Sequence, residues 1–331
     1  MTDITSTTDA IGSGAALAGT DRAVERLHRA IFAGLALVLL VAPHVLYPVF
    51  VIKVLCFALF ALAFNLLLGY GGLLSFGHAA FFGMASYVCA YTAKFWGLQP
   101  ELAILLGALA AAALGLAFGM LAIRRQAIYF SMITLALAQM AYFFSLQAPR
   151  FTGGEDGIQA VPRGRLLGVI DLYDDLKLYY VVLVIFMAVA LLIYRIIHSP
   201  FGQVCKAIRD NEPRAISLGY RTERYRLVVF VLSAALSGLA GATKAIAFQL
   251  ASLTDVHWSM SGEVVLMTLV GGLGTVFGPI VGAAIIVAMQ SYLASLGAWV
   301  TIAQGTIFVI CVLLFREGIV GLIGKAIRKP L

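Results

Sequence analysis

The sequence predicts an all-α polytopic membrane protein with about ten transmembrane helices, some of them broken or short. Three observations carry this. Of 331 residues, 62% are hydrophobic and 12% charged, with a mean hydropathy of +0.98, whereas ordinary soluble chains carry about 25% charged residues. Charge-free stretches cover 30–52, 54–93, 102–123, 126–149, 178–194, 227–243 and 264–315. A crossing helix needs about 20 residues at about 1.5 Å each, so the second stretch holds two passes and the last holds more than two. Finally, a cytoplasmic N-terminus with ten crossings puts sixteen Lys and Arg residues in inner segments and six in outer ones, the bias that orients a membrane protein.

Taken in order, residues 1–20 are rich in Ser, Thr, Gly and Ala, and 1–29 reads as a disordered cytoplasmic tail. The transmembrane domain is expected over 30–318 and a cytoplasmic tail over 319–331. The first crossing, 30–52, has no small-residue cleavage site and is too long for a signal core, so it reads as a retained anchor. Lys53 then falls in the first outer connection. Tyr70-Gly71-Gly72 divides the second stretch, and 271–279 and 295–297 divide the last, leaving a short eighth helix at about 258–272. Lys244, near the outer end of the seventh helix, is expected to snorkel outward along its own stem. A periplasmic loop at 149–177 separates five helices from five. An odd number per half implies opposite orientations, as in inverted-repeat transporters, and residues 71–83 are similar to 271–283.

Residues 199–226 form the basic elbow between crossings six and seven. They hold Lys206, Arg209, Arg214, Arg221, Arg224 and Arg226 against Asp210, Glu212 and Glu223, and so belong on the inner face. One short helix is expected over 201–209. After a cap at Asp210-Asn211, with Pro213 in the first turn, a second runs to about Leu218, where Gly219 supplies a left-handed stop. A compact polar helix pair suits docking of a soluble partner; a plain positive-inside anchor explains the charge equally well.

The chemistry-bearing residues are few. Dense glycine at 69–72 and 271–274 suits either close helix packing or unwound backbone lining a polar path. Candidate path residues are Asn65, Gly71, Gly72, Ser75, His78, Glu263, Gly271, Gly272 and Gly274. For His78 an interhelical hydrogen bond competes with substrate contact, and for Glu263 a helix-terminal charge complementing the dipole does the same. The scarcity of carboxylates inside the apolar stretches argues against an ion-coupled pump. No Walker loop or catalytic constellation is present, and the four cysteines lack metal spacing. An enzyme, a resident cofactor, a bound metal and a nucleic-acid partner are therefore not expected. The outer turn Gly153-Gly154-Glu155-Asp156-Gly157 does not match a calcium loop and reads as a structured turn.

Several strings coincide with one family. NLLLGYGGLLSFGHAAFFGMASY at 65–87, IYFSMITLALAQM at 128–140, TGGEDGI at 152–158, SPFGQVCKAIRDNEPRAISLGY at 199–220 and VGGLGTVFGPIVGA at 270–283 together resemble the LivM-type permease subunits of branched-chain amino-acid ABC importers. The resemblance implies a heterodimer with a related second permease in the bacterial inner membrane, with both termini cytoplasmic. It also implies two cytoplasmic ATPases that bind ATP and magnesium, and a periplasmic solute-binding protein. Lys206, Arg209, Asp210, Asn211, Glu212, Arg214, Leu218 and Gly219 would then couple to an ATPase. Residues 153–157 would face the binding protein. Relatives of this kind also move urea, short amides and aromatic acids, so the solute stays open, and a stand-alone secondary transporter or channel is the rival from another class.

Overall fold

The structure, a computed structural model, describes residues 30–125, 128–168 and 170–293, with isolated positions between 299 and 321. The tail at 1–29, most of 319–331, most of the stretch expected to hold the last crossing, Gln304 and Cys311 lie outside the described residues.

Most of the described residues in the apolar stretches are helical. The first helix, α1, is Ala30–Val45, and α2 is Pro48–Asn65, running on into a π turn at Leu66–Tyr70. Helix α3 is His78–Phe95, α4 is Pro100–Ala122, α5 is Ile128–Gln147 and α6 is the single turn Pro149–Thr152. Then come α7 at Asp175–His198, α8 at Pro200–Asp210, α9 at Glu212–Ser217 and α10 at Thr222–Phe248. Trp258–Gly271 and Gly278–Leu293 are α11 and α12. Five of the described spans are long and apolar enough to cross a membrane. At about 1.5 Å per residue, the 14 residues of α11 cover only about 21 Å, short of the roughly 30 Å hydrocarbon layer.

Burial sorts these helices into a centre and a rim. Within the span Pro48–Tyr70, 83% of the most apolar stretch is buried, against 28% for α4 and 33% for α5. Helix α2 therefore forms the axis, packed by α7, α10, α11 and α12, while α10 also packs on α3 and α4. Leu105, Leu109, Met132 and Phe143 on α4 and α5 stay exposed, as suits helices that face lipid, where apolar side chains gain nothing by turning inward.

Two expectations fail at the first connection. The 30–52 stretch is not one helix: α1 stops at Val45 and α2 starts at Pro48. Tyr47 is extended, at φ −61° and ψ 121°, because the proline ring disfavours a helical residue before it, while proline itself suits the first helical position. Lys53 consequently lies in the second turn of α2 rather than in an outer connection.

Outside the helices, two antiparallel ladders of two residues per strand occur among the described residues. One pairs Ile158–Gln159 with Leu250–Ala251 and so ties the 149–177 loop to the end of α10. Arg163 reinforces the tie, bonding Asp175 at 2.7 Å and the Ala247 carbonyl at 2.9 Å.

Candidate functional site

The basic elbow is built by local capping. Ser199 Oγ accepts from the Gly202 N–H at 3.3 Å with Pro200 in the first turn of α8, and Asn211 Oδ1 accepts from the Arg214 N–H at 3.1 Å to start α9. Asp210 is the last residue of α8 rather than a cap. Gly219, at φ +88°, takes the left-handed conformation that ends the second turn cheaply. Glu212 fastens α9 to α10: Arg226 reaches both of its oxygens, at 2.7 and 2.8 Å, and Thr222 donates to it at 3.2 Å. Arg214, Ile216, Leu218 and Tyr220 remain exposed on the outward side.

The inward side of α8 grips the first helix break. Arg209 donates to the Gly69 carbonyl inside the π turn and to Asp210 at 2.8 and 2.9 Å. Its stem lies against Gly72, whose φ of +69° is one that L side chains rarely adopt. The Lys206 ammonium sits 5.4 Å from the Tyr70 ring centroid, a cation–π distance. Burial, and then the Arg209 charge, hold it below the usual lysine value. A π turn frees backbone groups from the regular ladder, and Gly69 uses that freedom to accept a cation.

One turn earlier, Asn65 joins the first break to the second. Its amide donates to the Thr275 carbonyl at 2.9 Å and accepts from the Gly274 N–H at 3.1 Å, so one side chain satisfies two backbone groups between α11 and α12. Gly69 and Gly274 approach so closely that a Cβ on Gly69 would lie 2.8 Å from the Gly274 nitrogen. Gly271 packs on Gly278, and Gly272, at φ 129°, ends α11. The chain thus links Arg209 to Gly69, and Asn65 to Gly274 and Thr275, across separations of 140 and about 210 residues.

The other candidate path residues are placed differently. His78 is fully buried; its Nε2 meets Ser233 Oγ at 2.8 Å, and Ser233 donates to the Ala63 carbonyl at 2.6 Å. Phe64, Phe81 and Phe230 ring it at 4.9 to 6.0 Å. Ser75 is buried and accepts from the Gly77 N–H at 3.2 Å, and Gly71 lies against Val229. In the outer turn, Gly153, Gly154 and Gly157 all have positive φ and Gly154–Asp156 is a short 3-10 turn; Glu155 and Asp156 are exposed.

Sequence reading missed a charged cluster around the C-terminal end of α10. Lys244 does not snorkel. It forms an ion pair with Asp255, their side chains 14% and 2% exposed, and lies 5.9 Å from the Phe82 ring. Asp255 belongs to a 3-10 turn after α10, outside every apolar stretch, which is why it escaped notice. The usable signal was Lys244 itself, since a lysine within an apolar helix calls for a partner. Glu263 on α11 accepts from Gln290 of α12 at 3.0 Å, so it is a bonded, half-buried group rather than a free helix-terminal charge.

The family described as "Branched-chain amino acid transport system / permease component" matches residues 49–315. The chain is 24% identical over 285 residues to the "High-affinity branched-chain amino acid transport system permease protein LivM" of Escherichia coli K12, covering 80% of this chain and 67% of that protein. The LivM of Salmonella typhimurium LT2 matches equally. The "Ribose import permease protein RbsC" of Bacillus subtilis 168 is 29% identical over 174 residues, covering 50% of this chain and 51% of that one. No solved structure matches. The match spans α2 to α12, including the elbow, both helix breaks and the charged cluster, and so the chain belongs to the LivM-type permeases of the branched-chain amino acid transport family.

Proposed function

We propose that this chain is one of two membrane-spanning subunits of an ATP-driven importer in a bacterial inner membrane, with branched-chain amino acids as its solute. In this reading it crosses the membrane ten times in an inverted five-plus-five arrangement, with both termini cytoplasmic. It pairs with a related permease, receives solute from a periplasmic binding protein at the 153–157 turn, and docks two ATPases that carry ATP and magnesium. The supporting observation is the continuous link from the elbow to both helix breaks, through Arg209, Gly69, Asn65 and Gly274.

Exposed Ile216, Leu218 and Tyr220 beside Arg214 give α9 and its C-terminal turn an amphipathic outer face for an ATPase groove. Closure of the ATPase dimer on ATP would move the elbow. Because Arg209 holds the π turn, that movement reaches the two breaks and shifts the equilibrium between inward and outward states. Charge reversal at Arg209 and Arg214 in the assembled transporter should leave membrane insertion intact and separate ATP hydrolysis from uptake. Unchanged ATP-dependent uptake in vesicles would remove this assignment.

One observation favours a second reading. The buried Lys244–Asp255 pair and the half-buried Glu263 supply ionisable groups of the kind an ion-coupled carrier needs. Nucleotide decides: uptake by the isolated chain in liposomes without ATP would support the carrier.

A further inference from the structure

The outer charge cluster contains an unsolved balance. Lys53 and Glu263 are each the sixth residue of their helices, so on the topology above both lie about 8 Å below the outer helix ends. Lys244 and Asp255 neutralise each other. That leaves one cation and one anion. Glu263 has a neutral donor, Gln290. No hydrogen bond or ion pair reaches the Lys53 ammonium among the described residues, although it lies within electrostatic reach of Glu263 and Lys244.

Both groups sit where the axis helix is uncovered. Apart from its first turn, Lys53 and Val54 are the residues of α2 that are not fully buried. Glu263 and Gln290 are likewise half-exposed, and the rings of Phe50, three residues before Lys53, and Tyr292, two residues after Gln290, lie 6.1 Å apart. Opposite charges on two packed helices in an apolar setting gain by touching. Here they stand apart, with a gap wider than an ion-pair contact.

We propose that Lys53 and Glu263 are the two ends of a seat for a zwitterionic α-amino acid, the ligand's carboxylate meeting Lys53 and its ammonium meeting Glu263. The seat rests on the reading of the chain as an amino-acid permease and deepens it by naming the residues and the required charges. A ligand with both charges satisfies both ends. A monoanion or monocation satisfies one and leaves the other buried beside it, and urea or a sugar satisfies neither. The Phe50 and Tyr292 rings would face the ligand's apolar side chain.

The test uses the complete transporter in nanodiscs, without binding protein or nucleotide, and tritiated L-leucine. Wild type should bind leucine saturably. Isocaproate and isoamylamine, each lacking one charge, should fail to compete. Lys53→Met and Glu263→Gln should each weaken binding about ten- to a hundredfold, the range for a lost charge-assisted hydrogen bond, while the complexes still elute intact. The double variant K53E/E263K, which reverses the seat, should recover part of the loss. A structural ion pair would also recover on reversal but would not discriminate against the two singly charged analogues. Leucine import by wild type combined with unaltered leucine binding in both single variants, or with no saturable binding at all, overturns the seat alone. If wild type imports another solute and no amino acid, the functional reading falls and the seat with it.

Discussion

Replacing Asn65 by leucine keeps the side chain's approximate volume and deletes both hydrogen bonds that hold the turn between α11 and α12. The Gly274 N–H and the Thr275 carbonyl would then be left without partners. An unsatisfied buried polar group costs about 1–3 kcal/mol; Gly274 and Thr275 are half-buried, so about 2–6 kcal/mol is the upper limit for the two. Hydrogen bonds between membrane helices average only about 0.6 kcal/mol, because the altered state finds other partners. The geometry of the turn favours the larger figure. Thr275 Oγ1 already donates to the Gly272 carbonyl at 2.8 Å and accepts from the Gly278 N–H at 3.0 Å, and Gly69 packs against the Gly274 backbone, so little is free to substitute. Reversible unfolding in mixed detergent micles measures the loss. Asn65→Asp, which keeps the acceptor for Gly274 and sets a carboxylate against the Thr275 carbonyl, should be at least as damaging as Asn65→Leu. A loss below about 1 kcal/mol for Asn65→Leu would refute the argument that Asn65 ties the two breaks together.

Two further outcomes follow from buried groups. Lys244→Met should destabilise by about 3–5 kcal/mol, because it strands Asp255, whereas the Lys244→Met/Asp255→Leu pair should recover most of that loss; the same unfolding assay on both variants checks it. On α8, burial pushes the Cys205 thiol up to about 11, so its thiolate is scarce at neutral pH. With Cys205 as the sole cysteine, maleimide labelling of the folded protein should be slow at pH 7 and accelerate as pH rises towards that value; rapid labelling at pH 7 would contradict the placement.

Much of the architecture was legible because it is written in local signals. Apolar length located the helices, Asn211 and Gly219 marked the start and end of the elbow's second helix, and dense glycine marked both breaks. Pro48 was also a local signal, but the unbroken apolar stretch around it hid a helix start, and Lys53 was misplaced as a result. What stayed hidden is long-range. The Asn65 bonds to Gly274 and Thr275 join residues about 210 positions apart, and no periodicity reports such a pairing. The π turn adds a residue to a helix whose neighbours are all apolar, so composition does not register it. Asp255 lies in a polar connection and becomes the buried counter-ion of Lys244 only when the chain folds back onto α10.

The line from the elbow to the second helix break runs largely through main-chain atoms: the Gly69 carbonyl, the Gly274 amide and the Thr275 carbonyl. Side chains enter it at two points, Arg209 and Asn65. Those main-chain groups are common to every amino acid, but Gly69 and Gly274 admit no side chain: a Cβ on Gly69 would lie 2.8 Å from the Gly274 nitrogen, and Gly274 sits at φ +71°. The line is equally vulnerable to a change of chain length within 66–70, where one deleted residue would rewind the π turn and swing the Gly69 carbonyl away from Arg209.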